Sequence, residues 1–253
     1  MRIQTNNMNG YNHVASNRDF NERATLTFGL CSRGLKDLPD IWALQEVPTG
    51  GKTLSCIRHL NNLALQHGYV MIMPEKTWKV SEHPKSIQSV LLLRNAKAIE
   101  VLKLDESNEL YNRYNYVKAE LGGSEYFILN IHAPQTELFA GHAADDGYIK
   151  LRKRLAKQFY VVLKSEIEKL VSDGKRVILV GDFNKTPNQQ EVLDLINLGL
   201  CNVTRDKGDT YDHILVSQNI VDVAGTTKCN VDTDYVKVQK LSDHATVTLD
   251  ITF

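Results

Sequence analysis

The sequence predicts an α/β fold in a single domain spanning residues 1–253, and three observations lead there. Its 253 residues are enough for one well-buried domain and fall in the range over which a sandwich stays undivided. Short apolar runs and alternating stretches recur along the chain with helical periodicities between them, so strands and helices are interleaved. Polar residues of the types that carry chemistry stand at the ends of several of these strands. A hydrophobic fraction of 42% and a charged fraction of 24% are ordinary globular values and exclude a disordered or fibrous class.

In chain order, residues 1–10 read as a short strand running into Asn6, Asn7, Asn9 and Gly10, a cluster that makes a turn or a polar site. Phe20, Ala24, Phe28 and Leu35 recur at helical spacing within 17–35. In DIWALQEV, residues 40–47, a buried run ends in Gln45 and Glu46. A charged Glu closing such a strand either faces solvent or is paired with a cation, because burying it alone is costly. A helix follows over 54–68, ended by its glycine. Two strands, 69–73 and 89–93, flank a loop in which Lys76, Lys79, His83 and Lys85 surround Trp78. That loop is a solvated hairpin tip or a phosphate-contacting one.

Residues 96–104 and 113–121 alternate apolar and polar positions, as antiparallel strands with one face on a core do. Arg113 opens the second of them, as a surface residue or as one that meets phosphate. The apolar run 126–131 delivers His132 just before a Pro turn. Within 148–171, Leu151, Leu155, Phe159, Val162, Leu163, Ile167 and Leu170 define a long amphipathic helix, whose Arg152, Lys153, Arg154 and Lys157 are assigned to the solvated side. In RVILVGDFNKTP, residues 176–187, the buried run Val177 to Val180 precedes Gly181, read as a sharp turn. Asp182 and Asn184 behind it make an Asx turn or a site on a rigid support. A short helix over 190–198, a run 214–216 entered by Asp212 and His213, and a final alternating strand 245–253 preceded by Ser242, Asp243 and His244 complete the chain.

Thirty Lys and Arg balance thirty Asp and Glu, so the chain has no global basic field and any polyanion contact must be local. No stretch approaches the roughly 18 apolar residues of a membrane span, and the N-terminus lacks the apolar core of a signal peptide. The expectation is a monomer without stable membrane insertion, cytoplasmic, or secreted if a leader has been removed. Cys31, Cys56, Cys201 and Cys229 lie too far apart for a metal-thiolate spacing; their even count permits two disulfides, and scattered cysteines in a chain this size are more often reduced core residues.

The strand-end set Asn7, Glu46, His132, Asp182, Asn184, Asp212, Asp243 and His244 combines hard oxygen ligands with acid and base groups. That chemistry suits metal-assisted attack of water on a phosphoester. The ordered series NNMNG, LQEV, NIHAPQ, GDFNKTP, TYDHILVS and LSDHATV resembles the endonuclease/exonuclease/phosphatase superfamily across nearly the whole chain. His132, where exonuclease III and apurinic/apyrimidinic endonucleases carry tyrosine, and NRYNYVKAEL make it look most like deoxyribonuclease I and the cytolethal distending toxin nuclease subunit. The resemblance implies a four-layer α/β sandwich of two packed mixed sheets flanked by helices.

Carried over position by position, it implies Mg2+ held by Glu46, Asn7 and Asp243, with Mn2+ or Ca2+ able to substitute or assist. His244 oriented by Asp212 would be the general base, and Asp182 and Asn184 would position water and the scissile phosphate. His132 would donate to phosphate or leaving oxygen, and Arg113 would hold a phosphate. The implied activity is a DNA endonuclease of low sequence specificity. The alternative is a phosphoesterase acting on a phosphoinositide, sphingomyelin or another small phosphorylated substrate, and a silent binding module on the same fold is the third reading. Pro48 stands where deoxyribonuclease I has an arginine, with Lys52 nearby. Ile87 and Gln88 stand where it has the acid that orients the first histidine, Glu82 being the nearest acid here.

Overall fold

The computed structural model of the protein describes residues 1–8, 20–31, 38–48, 54–74, 87–104, 110, 113–135, 147–207, 210–233 and 242–253. Among them, one sheet runs from edge to edge through β11 (Thr226–Asp232), β12 (Thr246–Thr252), β1 (Arg2–Asn7), β2 (Ile41–Pro48), β4 (Ile87–Arg94) and β3 (Tyr69–Ile72). The other runs through β5 (Lys97–Leu102), β6 (Tyr114–Leu121), β7 (Ser124–His132), β8 (Val177–Asp182), β10 (Asp212–Ser217) and β9 (Leu200–Asn202). The sheets pack face to face over Ile3, Ala43, Leu91, Ile128, Ile178, Val180, Ile214 and Leu249.

Helices close the two outer faces. α1 (Phe20–Cys31) and α2 (Leu54–Gln66) cover the first sheet through Phe28, Leu60, Ala64 and the buried ring of Trp42. α3 (Gly147–Ser172) and α4 (Gln190–Asn197) cover the second through Phe159, Leu163, Ile167 and Val192. The result is the expected four-layer sandwich. Strand alternation produces it, since Val177 and Leu179 of β8 face the helices while Ile178 and Val180 face the other sheet.

Two strand pairs, β1 with β2 and β7 with β8, are parallel, and the others are antiparallel. A parallel pair needs a crossover, and α1 and α3 lie in those two connections. The crossovers place the C-terminal ends of both parallel pairs on one rim, where open α/β sheets collect their polar crevices. β12 and β10 run antiparallel to β1 and β8 and start at that rim, with Asp212 in register with Asp182.

Several expectations need correction. Gly181 is not a turn but the fifth residue of β8. Arg152 is half-buried, not solvated, between Ile149 and Ala156 on the packed stripe of α3. β9, β11 and the short α5 (Gln218–Val221) were not read from the sequence; β11 is an edge strand with an exposed, weakly alternating pattern. Cys56, Cys201 and Cys229 are free but only partly buried, while the Cys31 side chain lies outside the description. Asn9, Gly10, Lys52, Lys76, Trp78, Lys79, Glu82, His83 and Lys85 also lie outside the described residues. No helix among the described residues is long and apolar enough to cross a membrane.

Candidate active site

Gly181 sets the spacing of the rim. Its φ is +134°, and a Cβ there would lie 2.1 Å from the Ile131 carbonyl oxygen on β7. Only glycine lets β7 and β8 close this tightly, and the closure puts His132 in register with Asp182. The chain then turns on Asp182, whose Oδ1 accepts from the Asn184 amide at 2.8 Å, so the Asx turn and the polar site are one feature. Asn184 sits at φ 48°, a left-handed conformation that asparagine tolerates, and its Nδ2 donates to the Ala133 carbonyl at 2.8 Å. Between them Phe183 is fully buried against the edge of His213, and Tyr160 of α3 donates to its carbonyl.

Glu46 reaches the rim by a different device. The register of β2 against β4 shifts between Leu44 and Val47, and Glu46 within this bulge has φ 53°. A bulge re-aims the side chain it contains. Gln45 stays inside, accepting from Thr5 at 3.1 Å and donating to Asn130 of the other sheet at 2.7 Å. Asn130 in turn donates to the Leu44 and Val90 carbonyls and to Asn115, so the floor of the site is a buried amide network bridging the sheets.

Above that floor Asn7 donates from Nδ2 to Glu46 Oε1 at 3.3 Å and to Asp182 Oδ2 at 3.0 Å. It joins the two carboxylates as a donor here. Burial raises the pKa of Glu46, partly offset by the Asn7 bond and the charges of His244 and Arg113, while Asp243 adds to the rise. Asp182 is raised for the same reason, burial first and then the neighbouring Asp212 carboxylate. Carboxylates in low dielectric without enough donors resist ionisation.

Ser242 fixes the entry of the last strand, donating to the Asn7 carbonyl at 2.6 Å and accepting from the His244 amide at 3.1 Å. His244 Nδ1 and Asp212 Oδ2 are 2.7 Å apart. Burial alone would lower the pKa of His244, but Asp212, Asp182 and Asp243 outweigh it and push it up to about 10. Asp212 Oδ1 is buried and has no hydrogen-bond partner among the described residues. Asp243 is the outermost of the set, with its side chain 52% exposed and its carboxylate 4.0 Å from His244 Nε2. A cleft of about 440 Å³ beside His244 is lined by Lys207, Thr210, Tyr211 and Asp243.

His132 lies 3.7 Å from Glu46 and 3.8 Å from Asp182 through Nε2. These separations exceed hydrogen-bond length, and burial, with the charges of Arg113, His244 and Arg152, pushes its pKa well down. Burial and these positive charges thus disfavour the protonated form of His132, and its distances to the carboxylates are too long for a hydrogen-bonded ion pair. Gln88, opposite Val47 in register, is buried at the position where the resemblance asked for an orienting acid.

The structure thus brings Asn7, Glu46, His132, Asp182, Asn184, Asp212, Asp243 and His244 to one rim, with Arg113 close enough for its charge to act on Glu46 and His132. Reasoning from sequence did not single out Asn130, and it gave Ser242, His213 and Arg152 no part in the site. His213 is a buried pin, within 2.7 Å of the Lys185 carbonyl and 3.0 Å of Thr204. An asparagine inside a continuous apolar strand was the one available signal for Asn130.

The donor set fits a divalent cation. Glu46, Asp182 and Asp212 are buried or half-buried carboxylates, His244 pairs with Asp212, and Asp212 Oδ1 has no hydrogen-bond partner among the described residues. Ligand atoms of Asp182, Asp212 and His244 all lie within 4.8 Å of one another. Hard oxygen donors with excess negative charge are what Mg2+ or Mn2+ takes, and a nitrogen donor leans toward transition metals.

Two six-stranded mixed sheets packed between helices are the endonuclease/exonuclease/phosphatase, or deoxyribonuclease I-like, fold. No protein-family model matches the sequence, and no curated protein sequence matches it. Solved structures do. The 3'-5' exonuclease NExo from Neisseria meningitidis is 17% identical, with both chains fully covered and a TM-score of 0.70. An AP endonuclease from Archaeoglobus fulgidus is 14% identical over the whole of both chains, at a TM-score of 0.68. An endonuclease/exonuclease/phosphatase family protein from Leptotrichia buccalis is 13% identical, again over both full lengths, at 0.62. At these identities the likeness is one of fold.

Proposed function

We propose that the protein is a divalent-cation-dependent phosphodiesterase, and that its substrate is the DNA backbone, cleaved internally with little sequence preference. The observation that carries this reading is the His244–Asp212 pair at 2.7 Å, set beside the carboxylates of Glu46 and Asp182 on one rim. The exonuclease and AP endonuclease that share the fold support a DNA substrate, and His132 supports the finer likeness to deoxyribonuclease I.

Glu46, Asp182 and Asp212, with Asn7 and Asp243 at hand, would hold Mg2+. When bound, such a cation polarises the phosphate and lowers the pKa of its water. Asp212 engages Nδ1 of His244 and so fixes the ring, leaving Nε2 to accept a proton from water. A base must start neutral, so His244 would act from the form that has given up the proton Asp212, Asp182 and Asp243 favour on it. His132, neutral and within reach of the same carboxylates, donates Nε2–H to the phosphate or the leaving oxygen. Asn184, pinned to Ala133, and Arg113, whose charge acts on both Glu46 and His132, orient the phosphate.

The test is relaxation of supercoiled plasmid by the purified protein with Mg2+, with EDTA, and with His244→Ala. Metal-dependent nicking is expected, reduced in the variant by roughly 10²–10⁴-fold, the usual worth of a general base. The reading is overturned by a folded His244→Ala protein that nicks at the normal rate. Hydrolysis of a phosphoinositide or sphingomyelin without any nicking would move the substrate to a small phosphoester.

A further inference from the structure

We propose that Lys150, Lys153 and Lys157, on one flank of α3, form a track for the phosphate backbone of a nucleic-acid strand that runs beyond the candidate active site. This rests on the phosphodiesterase reading for its substrate, but it concerns residues outside the rim.

All three lysines are exposed, and their spacing of three and four places them in one row on the helix. The row continues into Tyr160, whose hydroxyl donates to the carbonyl of Phe183, the residue between Asp182 and Asn184. The lysine flank is therefore the one that abuts the catalytic turn of β8. α3 lies in the connection that leaves the end of β7 and returns to the start of β8, so its N-terminal half is at the end of the sheet that holds His132 and Asp182. From Lys150 to Lys157 the helix rises about 10 Å, roughly three base-pair steps along one strand of a duplex.

Among the described residues the charge of this row is left unpaired. No acidic residue occurs between Gly147 and Ser165, and none of the three lysines has an ion pair with another described residue. Lys164, next in the row, is engaged by Asp194 at 2.6 Å, and Lys185 by Glu191 at 2.8 Å, so the track stops there. Arg152, half-buried on the packed stripe of the same helix, adds positive charge whose field bears on His132. With zero net charge on the whole chain, a local row of this kind is what phosphate contact requires. An anionic membrane fits less well, because an interfacial helix offers an apolar face to lipid and that face of α3 is packed on the sheet.

The test compares wild type with Lys150→Gln/Lys153→Gln/Lys157→Gln in two assays. Binding of a short fluorescent DNA duplex in EDTA is titrated against KCl. Nicking of plasmid and hydrolysis of bis(4-nitrophenyl) phosphate are measured with Mg2+. The track predicts a salt slope shallower by about 2 to 3 and a nicking KM raised by about tenfold or more, with small-diester turnover unchanged. An unchanged slope and KM overturn it. If wild type hydrolyses neither plasmid nor small diester and yet the slope drops in the variant, the phosphodiesterase reading fails and the track stands.

Discussion

At the end of the first sheet where β1 starts and β12 finishes, Arg2 meets Asp250 through Nε at 2.6 Å and Nη2 at 3.0 Å, and the Arg2 amide donates to Asp40 at 2.8 Å. Arg94 lies 3.5 Å from Asp40 and donates to the Leu38 carbonyl. The Arg2 and Asp250 side chains are 29% and 41% exposed, so water shares the cost of their charges. At the opposite end of the sandwich, Glu46 of the first sheet and Asp182 and Asp212 of the second gather in a largely buried rim with Asn7, His132 and His244. Matched, wetted charges contribute little either way, whereas clustered charges removed from water are costly and persist only where the surrounding structure enforces them. The difference sets the end that holds the candidate site apart from the end that only closes the sheet.

The largest effect on stability should come from the device that enforces the rim. Gly181→Ala would push a methyl into the Ile131 carbonyl at a φ closed to alanine, and should destabilise by on the order of 4 kcal/mol in urea unfolding. A loss below about 1 kcal/mol would mean that β7 and β8 do not hold each other this closely.

A middle-sized effect is expected from pH in EDTA. His244 has its pKa raised in the fold, so its stabilisation is complete below the unfolded value near 6.5 and is lost as pH rises toward about 10. Asp182, also raised, acts in the same direction from acid pH upward. The metal-free protein should therefore lose a few kcal/mol between pH 7 and pH 10, and His244→Gln should flatten that limb. An equally steep limb in the variant would remove the imidazole from the account.

The smallest change belongs to the other end. Asp250→Asn should cost less than about 1 kcal/mol and leave turnover untouched, as exposed pairs do. A cost of several kcal/mol would erase the contrast between the ends.

Much of the site was legible in order along the chain. Asp182, Asn184, Asp212 and His244 each stand beside an apolar run, and such a run fixes where a polar neighbour must emerge. The alternation of β8 and the periodicity of α3 located the layers on which those neighbours rest. What stayed hidden were features decided by contacts between distant elements. Gly181 reads locally as a turn, and only the approach of Ile131 makes it a strand residue. Arg152 sits in a run of four basic and apolar residues whose surface character is the natural reading, and only the packing of α3 turns it inward. Glu46 left solvent and cation equally open until the bulge in β2 and the amide of Asn7 from the neighbouring strand set its direction. The sequence by itself determined the elements and the chemical types at their ends, because periodicity and side-chain chemistry are local. Tertiary structure alone decided which ends share a rim and which charges are left without water, because pairing and desolvation depend on residues far apart in the chain.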